Sequence, residues 1–155
     1  HGSWPADAGQ VADDSHEVVV AQDVLYNVAD AADFVRACDR VAIRRVVLVL
    51  PSVHPMTWTT PYWRRLHGLD RPSGPTVDDA VAVLEEVGIR PTVETWTEPR
   101  LWSFAGLDDA VAMVRTRLCL PSSRDDDVRA AMEAVPPPRD EEANAVWWDV
   151  RPPAG

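Results

Sequence analysis

The clearest strand signals of the chain are residues 17–21, Glu-Val-Val-Val-Ala, and residues 46–50, Val-Val-Leu-Val-Leu. Apart from Glu17, both stretches are short, continuous and apolar, which is typical of strands buried on both faces in a parallel sheet. Between them Asp30 is a candidate N-cap for a helix that ends at Arg44 and Arg45, where positive charge suits the helix dipole. The apolar positions of this helix are Phe34, Val35, Cys38, Val41 and Ala42. Strand, helix and strand predict a right-handed β-α-β unit.

The middle of the chain adds a long connection, a helix and a strand. Residues 51–75 are rich in Pro and Trp and predict a lid or binding loop, with one short helix around Tyr62 to Leu66. Residues 76–79, Thr-Val-Asp-Asp, form a capping box for a helix that ends at Gly88. The alternating side-chain pattern of residues 92–97 predicts a third strand.

The last third of the chain predicts two helices and a final strand. Apolar residues at helical spacing follow Asp108 and again follow about Ser123. A charged loop over residues 136–144 then leads to a strand over residues 145–150. The whole pattern predicts a single α/β domain over residues 1–155.

Composition and charge exclude several classes of function. Fifteen basic residues, all Arg, against 25 acidic ones give a net charge of −10, which repels nucleic acid. No apolar run approaches the roughly 20 residues that cross a membrane, so we expect a cytoplasmic protein that binds neither nucleic acid nor membrane. Cys38 and Cys119 each fall within a predicted helix, which favours two buried thiols over a disulfide or a metal site.

Polar residues follow both decisive strands. Gln22, Asp23, Tyr26 and Asn27 come after the first strand, and Ser52 and His54 after the second. The carboxyl ends of neighbouring parallel strands share one sheet edge, where ligands of such folds bind. Each residue also has a structural interpretation that stays open. Asp23 and Asn27 suit a turn, Tyr26 suits the core, and a lone His is more often structural than catalytic.

Four stretches resemble the class I S-adenosylmethionine-dependent methyltransferases. Residues 17–30, Glu-Val-Val-Val-Ala-Gln-Asp-Val-Leu-Tyr-Asn-Val-Ala-Asp, resemble the fourth strand of that family and the segment after it. Residues 45–50 look like the fifth strand, residues 145–150 like the terminal antiparallel strand, and residues 2–5, Gly-Ser-Trp-Pro, like the loop after the third strand. The resemblance implies a partial Rossmann-like sheet of strands four to seven, the last antiparallel, with flanking helices.

The resemblance also implies roles for particular residues. The cofactor S-adenosylmethionine would contact Ser3 and Trp4 along its adenine, and Gln22 and Asp23 near its methionine end. The residues expected to line the acceptor pocket are Tyr26, Asn27, His54, Tyr62, Trp63 and His67. The candidate general bases are Asp23, His54 and His67. Ser3 stands where the family commonly has an acidic residue, and the family's glycine-rich cofactor loop is absent.

Three functions are therefore weighed. The first is methyl transfer from S-adenosylmethionine to a small-molecule acceptor by a longer chain, these 155 residues being inactive alone because they lack the glycine-rich loop. The second is a non-catalytic, degenerate methyltransferase-like binding module. The third is a fragment of another nucleotide-dependent α/β enzyme, for which no G-x-G-x-x-G sequence is present. In a half-fold the Val18 strand would keep an open edge, so self-association through that edge is expected.

Overall fold

A computed structural model of the chain describes residues 4–100 and 106–150. Ser3, the predicted adenine contact, lies outside the described residues. The chain groups into two compact units, where the sequence predicted one domain. Unit 1 consists of the described residues of 1–53, 75–97 and 142–155, and unit 2 of those of 54–74 and 98–141.

Within the described residues, four strands form one mixed sheet in the order β1-β2-β4-β3. They are β1, His16–Gln22; β2, Ala42–Pro51; β3, Thr92–Pro99; and β4, Asp140–Asp149. β1 is parallel to β2, and β4 is antiparallel to β2. This arrangement confirms the predicted α/β sheet with an antiparallel last strand. β4 begins well before the predicted residue 145, because the ladder with β2 continues as far as Pro51.

The helix between β1 and β2 is α1, Ala31–Val41, and Asp30 caps it by accepting a 2.8 Å hydrogen bond from the Asp33 N–H. The helix ends earlier than predicted, because β2 starts directly at Ala42. Arg45 is therefore a strand residue and not a helix end. Its guanidinium donates to Asp149 on β4 at 2.7 Å and thereby lowers the pKa of that carboxyl.

One face of the sheet carries the core of unit 1. Helices α1 and α3, Val77–Glu86, pack against alternate residues of the strands. The fully or nearly fully buried residues of this core include Val35, Val46, Leu48, Leu50, Leu84 and Val146. α3 begins with the predicted capping box, in which Thr76 and Asp79 each bond the other's backbone N–H. Gly88 follows the helix at φ +85°, a conformation that glycine adopts without steric cost.

The prediction that β1 is buried on both faces is wrong. Val18 is 47% exposed and Val20 is 64% exposed, although Val19 packs against the core. Register explains the difference, since Val20 lies beside Val47 on one face and Val19 beside Val46 on the other. The α-helices described for unit 1 pack on the Val19 face, which leaves the Val18 and Val20 side chains facing solvent.

Among the described residues of unit 2, three α-helices surround a hydrophobic core: α2, Thr60–His67; α4, Leu107–Arg117; and α5, Asp125–Ala134. The buried residues of this core are Tyr62, Ala110, Val111, Val114, Leu118, Val128, Ala131 and Met132. The predicted short helix around Tyr62 is confirmed and extended. Cys38 is buried as predicted, but the prediction for Cys119 is wrong. Cys119 is exposed, because it follows α4 in a left-handed turn at φ +56°.

We predict that Thr76→Ala lowers the free energy of unfolding of unit 1 by about 1 kcal/mol, because it removes the side-chain acceptor for the Asp79 N–H. Thr76→Ser keeps a hydroxyl acceptor at the same position and should cost only a fraction of that. Urea unfolding followed by circular dichroism measures both variants. Equal stability of Thr76→Ala and the unmodified chain would contradict the capping role.

Candidate functional site

The carboxyl ends of β1 and β2 lie at one edge of the sheet of unit 1, as predicted. Gln22 at the end of β1 is in register with Val49, and Pro51 at the end of β2 is in register with Ala143 near the start of β4. Because β4 is antiparallel, its first residues reach the same edge as the last residues of β1 and β2. This is the edge at which open α/β sheets bind ligands.

Asp23 makes the turn that leaves β1. Its backbone is left-handed at φ +56°, which Asp tolerates better than most residues, and its N–H donates to the Val49 carbonyl at 2.9 Å. Its side chain is exposed beside Gln22. Asp23 therefore forms the turn after β1, and its exposed carboxylate lies away from the core.

Tyr26 ties this turn to the end of the neighbouring strand. Its hydroxyl donates a 2.7 Å hydrogen bond to the Pro51 carbonyl. Burial, followed by the charges of Asp79 and Asp78, raises the pKa of Tyr26 well above its ordinary value. Tyr26 stays protonated at neutral pH and holds the Gln22 to Asn27 segment in place. Its predicted place in a pocket wall remains a prediction.

A groove of about 770 Å³ runs along β1 and α1. It is lined mainly by valines, and it brings together Trp4 and Gln22, two predicted cofactor residues, with Asn27, a predicted acceptor residue. The Trp4 indole packs against the core and against the Cys38 thiol, whose pKa burial raises to about 11. The groove thus offers an aromatic and aliphatic surface with two side-chain amides near its strand-end side.

A hydrogen-bonded chain of side chains crosses the strand ends. Asn144, 1% exposed, donates to the Ser52 hydroxyl at 3.0 Å and accepts from the Thr95 hydroxyl at 2.7 Å. Ser52 in turn donates to the Glu142 carboxylate. The sequence singled out Ser52 but neither Asn144, Thr95 nor Glu142. These residues meet Ser52 only through the register of the antiparallel strand, and a single sequence does not give that register.

The other predicted pocket residues belong to unit 2. Tyr62 is 1% exposed, and its hydroxyl donates to the Val135 carbonyl at 2.7 Å. Burial raises the pKa of Tyr62 to about 12. We therefore correct the prediction that Tyr62 lines an acceptor pocket, because the residue is part of the helical core. Trp63 stacks on His67 with ring centroids 4.8 Å apart.

The two histidines differ as candidate bases. His54 Nδ1 accepts the Met56 N–H at 3.1 Å, so the lone pair of its neutral ring is already engaged. His67 Nε2 lies 2.8 Å from the Leu118 carbonyl oxygen, which accepts a hydrogen bond from the protonated nitrogen. A neutral His67 that donates in this way carries its lone pair on Nδ1. His67 therefore suits a base better than His54 does.

Two features are absent from residues 4–100 and 106–150. In these ranges no three His, Cys, Asp or Glu side chains cluster as metal ligands would. No helix within the same ranges is long and apolar enough to cross a membrane.

The sheet order, the parallel β1–β2 pair and the antiparallel β4 define a Rossmann-like α/β protein. No family model matches the sequence, and no curated protein matches it significantly. Solved structures do match.

One similar structure is a Bacillus halodurans C-125 protein named as a methyltransferase. It aligns over 92% of this chain and 68% of its own length, with 14% identity and a TM-score of 0.53. The YcgJ protein of Bacillus subtilis aligns over 96% of this chain and 68% of its own length, with 14% identity and a TM-score of 0.51. A third similar structure is from Anabaena variabilis ATCC 29413 and is named as a methyltransferase of an antibiotic biosynthesis pathway. It aligns over 88% of this chain and 68% of its own length, with 11% identity and a TM-score of 0.51. At these identities the likeness shows the fold, which is the methyltransferase-type fold that the sequence predicted.

We predict that Tyr62 ionises near pH 12 in the folded chain. A raised pKa means that the fold favours the neutral phenol, so its stabilisation is complete below the ordinary value of 10.0 and is lost as the pH rises toward 12. The chain has two tyrosines, so Tyr26→Phe isolates Tyr62. Ultraviolet absorbance of tyrosinate measures the titration, with the urea-unfolded chain as the control. Ionisation near pH 10 in the folded chain would contradict the burial of this hydroxyl.

Proposed function

We propose that this chain is the acceptor-side part of an S-adenosylmethionine-dependent methyltransferase that acts on a small molecule, and that it functions within a longer chain. The observation that carries the proposal is the likeness of this fold, a mixed sheet with an antiparallel β4, to the fold of solved proteins named as methyltransferases. The resemblance of residues 17–30 to the family's fourth strand supports it independently.

The groove of unit 1 fits part of the cofactor. The Trp4 indole offers a flat apolar surface suited to adenine, and the Gln22 and Asn27 amides offer donors and acceptors for a neutral nucleoside. No two glycines of the sequence are separated by one residue, so the chain has no G-x-G loop for the methionine end. Trp4, Gln22 and Asn27 would therefore hold the nucleoside, and the rest of the grip would come from the longer chain.

The cofactor, when bound, supplies a methyl group already activated by its sulfonium. The protein then needs chiefly to orient the acceptor and exclude water. Tyr26 fixes the turn after β1 through its bond to Pro51, and Asp23 presents an exposed carboxylate from that turn. Asp23, His54 and His67 are the candidate bases, and of these Asp23 lies in the turn after β1. A base that takes a proton from an acceptor hydroxyl or amine typically contributes 10²–10⁴-fold.

A non-catalytic binding module is the second candidate, and the missing G-x-G loop favours it for these residues alone. Such a module would keep the fold and lose cofactor affinity. A different nucleotide-dependent enzyme has less support, because the matched structures carry the methyltransferase name.

Titration calorimetry with S-adenosylhomocysteine tests the proposal on this chain and on the longer parent chain. We predict binding to the parent chain and weaker binding to the 155 residues. Gln22→Ala should weaken binding about five- to tenfold, the worth of one hydrogen bond to a neutral group.

Gln10→Ala is the matched control, because Gln10 is equally exposed and lies outside the groove. It should leave the affinity unchanged. A parent chain that gives no heat of binding would contradict methyl transfer and favour the binding module.

A further inference from the structure

Asn144 fixes the direction of the hydrogen-bonded chain at the end of β2 and the start of β4. Its amide oxygen accepts the Thr95 hydroxyl, and its amide nitrogen donates to the Leu50 carbonyl and to Ser52 Oγ. Because this nitrogen can only donate, Ser52 Oγ accepts from it, and the one hydroxyl hydrogen of Ser52 is left for the Glu142 carboxylate. The buried amide therefore directs the Ser52 hydroxyl at Glu142.

Glu142 is held in place and still has a carboxylate oxygen to offer. Its backbone carbonyl accepts the Ser52 N–H at 2.9 Å, and its Oε2 accepts the Ser52 hydroxyl. The residue is exposed, and among the described residues its Oε1 has no hydrogen-bond partner. Ser52 Oγ, which is half-buried, has a second lone pair that Asn144 does not use. Two acceptor atoms thus lie side by side at this edge of the sheet.

The neighbouring hydroxyls also direct their hydrogens into the protein. The start of α3 lies beside the end of β2, and there Thr76 donates its hydroxyl to Asp79 Oδ2 at 3.0 Å. The Tyr26 hydroxyl donates to the Pro51 carbonyl. With that of Ser52, all three hydroxyls have given their hydrogen to a protein acceptor. A ligand group that donates hydrogen bonds therefore fits here better than a phosphate or a carboxylate does.

Charge decides which kind of donor fits best. α3 begins with Asp78 and Asp79, and both are exposed. After burial, the charges of Asp79 and Asp78 are the causes that raise the pKa of Tyr26, so their negative potential reaches the end of β2. Arg45 and Arg90 lie at the opposite edge, near the end of β4. A protonated amine, which combines hydrogen-bond donors with positive charge, suits this edge better than a neutral hydroxyl.

We propose that Glu142 selects the methyl acceptor by binding a protonated amine of that small molecule, and that Ser52 is a positioning residue that holds the Glu142 carboxylate. The role in acceptor choice rests on the proposed function. An ammonium has three hydrogens, so it can donate to Glu142 Oε1 and to Ser52 Oγ together. The site lies on β2 and β4, the two inner strands of the sheet, and apart from the groove along β1.

The bound amine anchors the acceptor and is not the atom that is methylated. An ammonium nitrogen has no lone pair with which to attack a methyl group. The start of β4 also lies two strands from the end of β1, about 10 Å at the usual strand spacing. A different atom of the acceptor, nearer to β1, would therefore receive the methyl group.

NMR titration of the parent chain with three four-carbon probes, butylammonium, butanol and butyrate, tests the site at neutral pH. Saturating S-adenosylhomocysteine is present, so that the place for the cofactor's own amine is already occupied. We predict that butylammonium shifts the side-chain amide signals of Asn144 and the backbone N–H of Ser52 in a saturable way. Butanol should bind about fivefold more weakly, because it lacks the charge, and butyrate should not bind.

Glu142→Gln keeps the size of the side chain and an acceptor for Ser52 but removes the charge. It should weaken butylammonium binding about fivefold and leave the affinity for S-adenosylhomocysteine unchanged. Glu86→Gln makes the same change in charge at the exposed last residue of α3, and this matched control should bind butylammonium normally. Ser52→Ala should weaken butylammonium binding about threefold, and Ser52→Thr, which keeps the hydroxyl, should restore it.

Several results would overturn the proposal. They are butylammonium binding that Glu142→Gln leaves intact, equal affinities for butylammonium and butanol, and butylammonium binding that S-adenosylhomocysteine abolishes, which would make this the place of the cofactor's amine. Normal binding of S-adenosylhomocysteine without any binding of butylammonium would reject this inference and leave the proposed function standing. Glu142-dependent binding of butylammonium by a chain that does not bind S-adenosylhomocysteine would support the amine site and contradict methyl transfer.

Discussion

The pairing of β2 with a neighbour on each side is the constraint on which unit 1 depends. β2 is parallel to β1 and antiparallel to β4, and its alternate residues Val46, Leu48 and Leu50 are almost fully buried. The two pairings bring the carboxyl ends of β1 and β2 and the start of β4 to one edge. The groove and the Asn144 hydrogen bonds both follow from this geometry.

Local chemistry made much of the fold predictable. The apolar runs at 17–21 and 46–50 predicted β1 and β2, and the side chains of Asp30 and Thr76 predicted the starts of two helices. Failures came where tertiary pairing outweighed local preference. The sequence predicted Arg45 at the end of a helix, but the residue lies opposite Asp149 where β2 pairs with β4. Tyr62 was predicted to line an acceptor pocket, but it is buried in the core of the helices of unit 2.

The candidate site was predictable only where it follows directly from strand order. Gln22 and Asp23 stand at the end of β1 as the alternation of strand and helix requires, and the groove brings Trp4 to the same strand. Glu142 and Thr95 were not predictable, because they reach Ser52 through cross-strand register and through the buried Asn144. The exposure of Val20 likewise depends on which sheet face the helices cover.

In the proposed function, the sheet edge at the end of β1 holds an adenosyl ligand. Two-dimensional ¹H–¹⁵N NMR of the longer parent chain during titration with S-adenosylhomocysteine is the most direct test. We expect shifts of the Gln22 and Asp23 backbone amides and of the Trp4 indole N–H, with the backbone N–H signals of β3 unchanged. Saturable binding that leaves Gln22, Asp23 and Trp4 unshifted would contradict it.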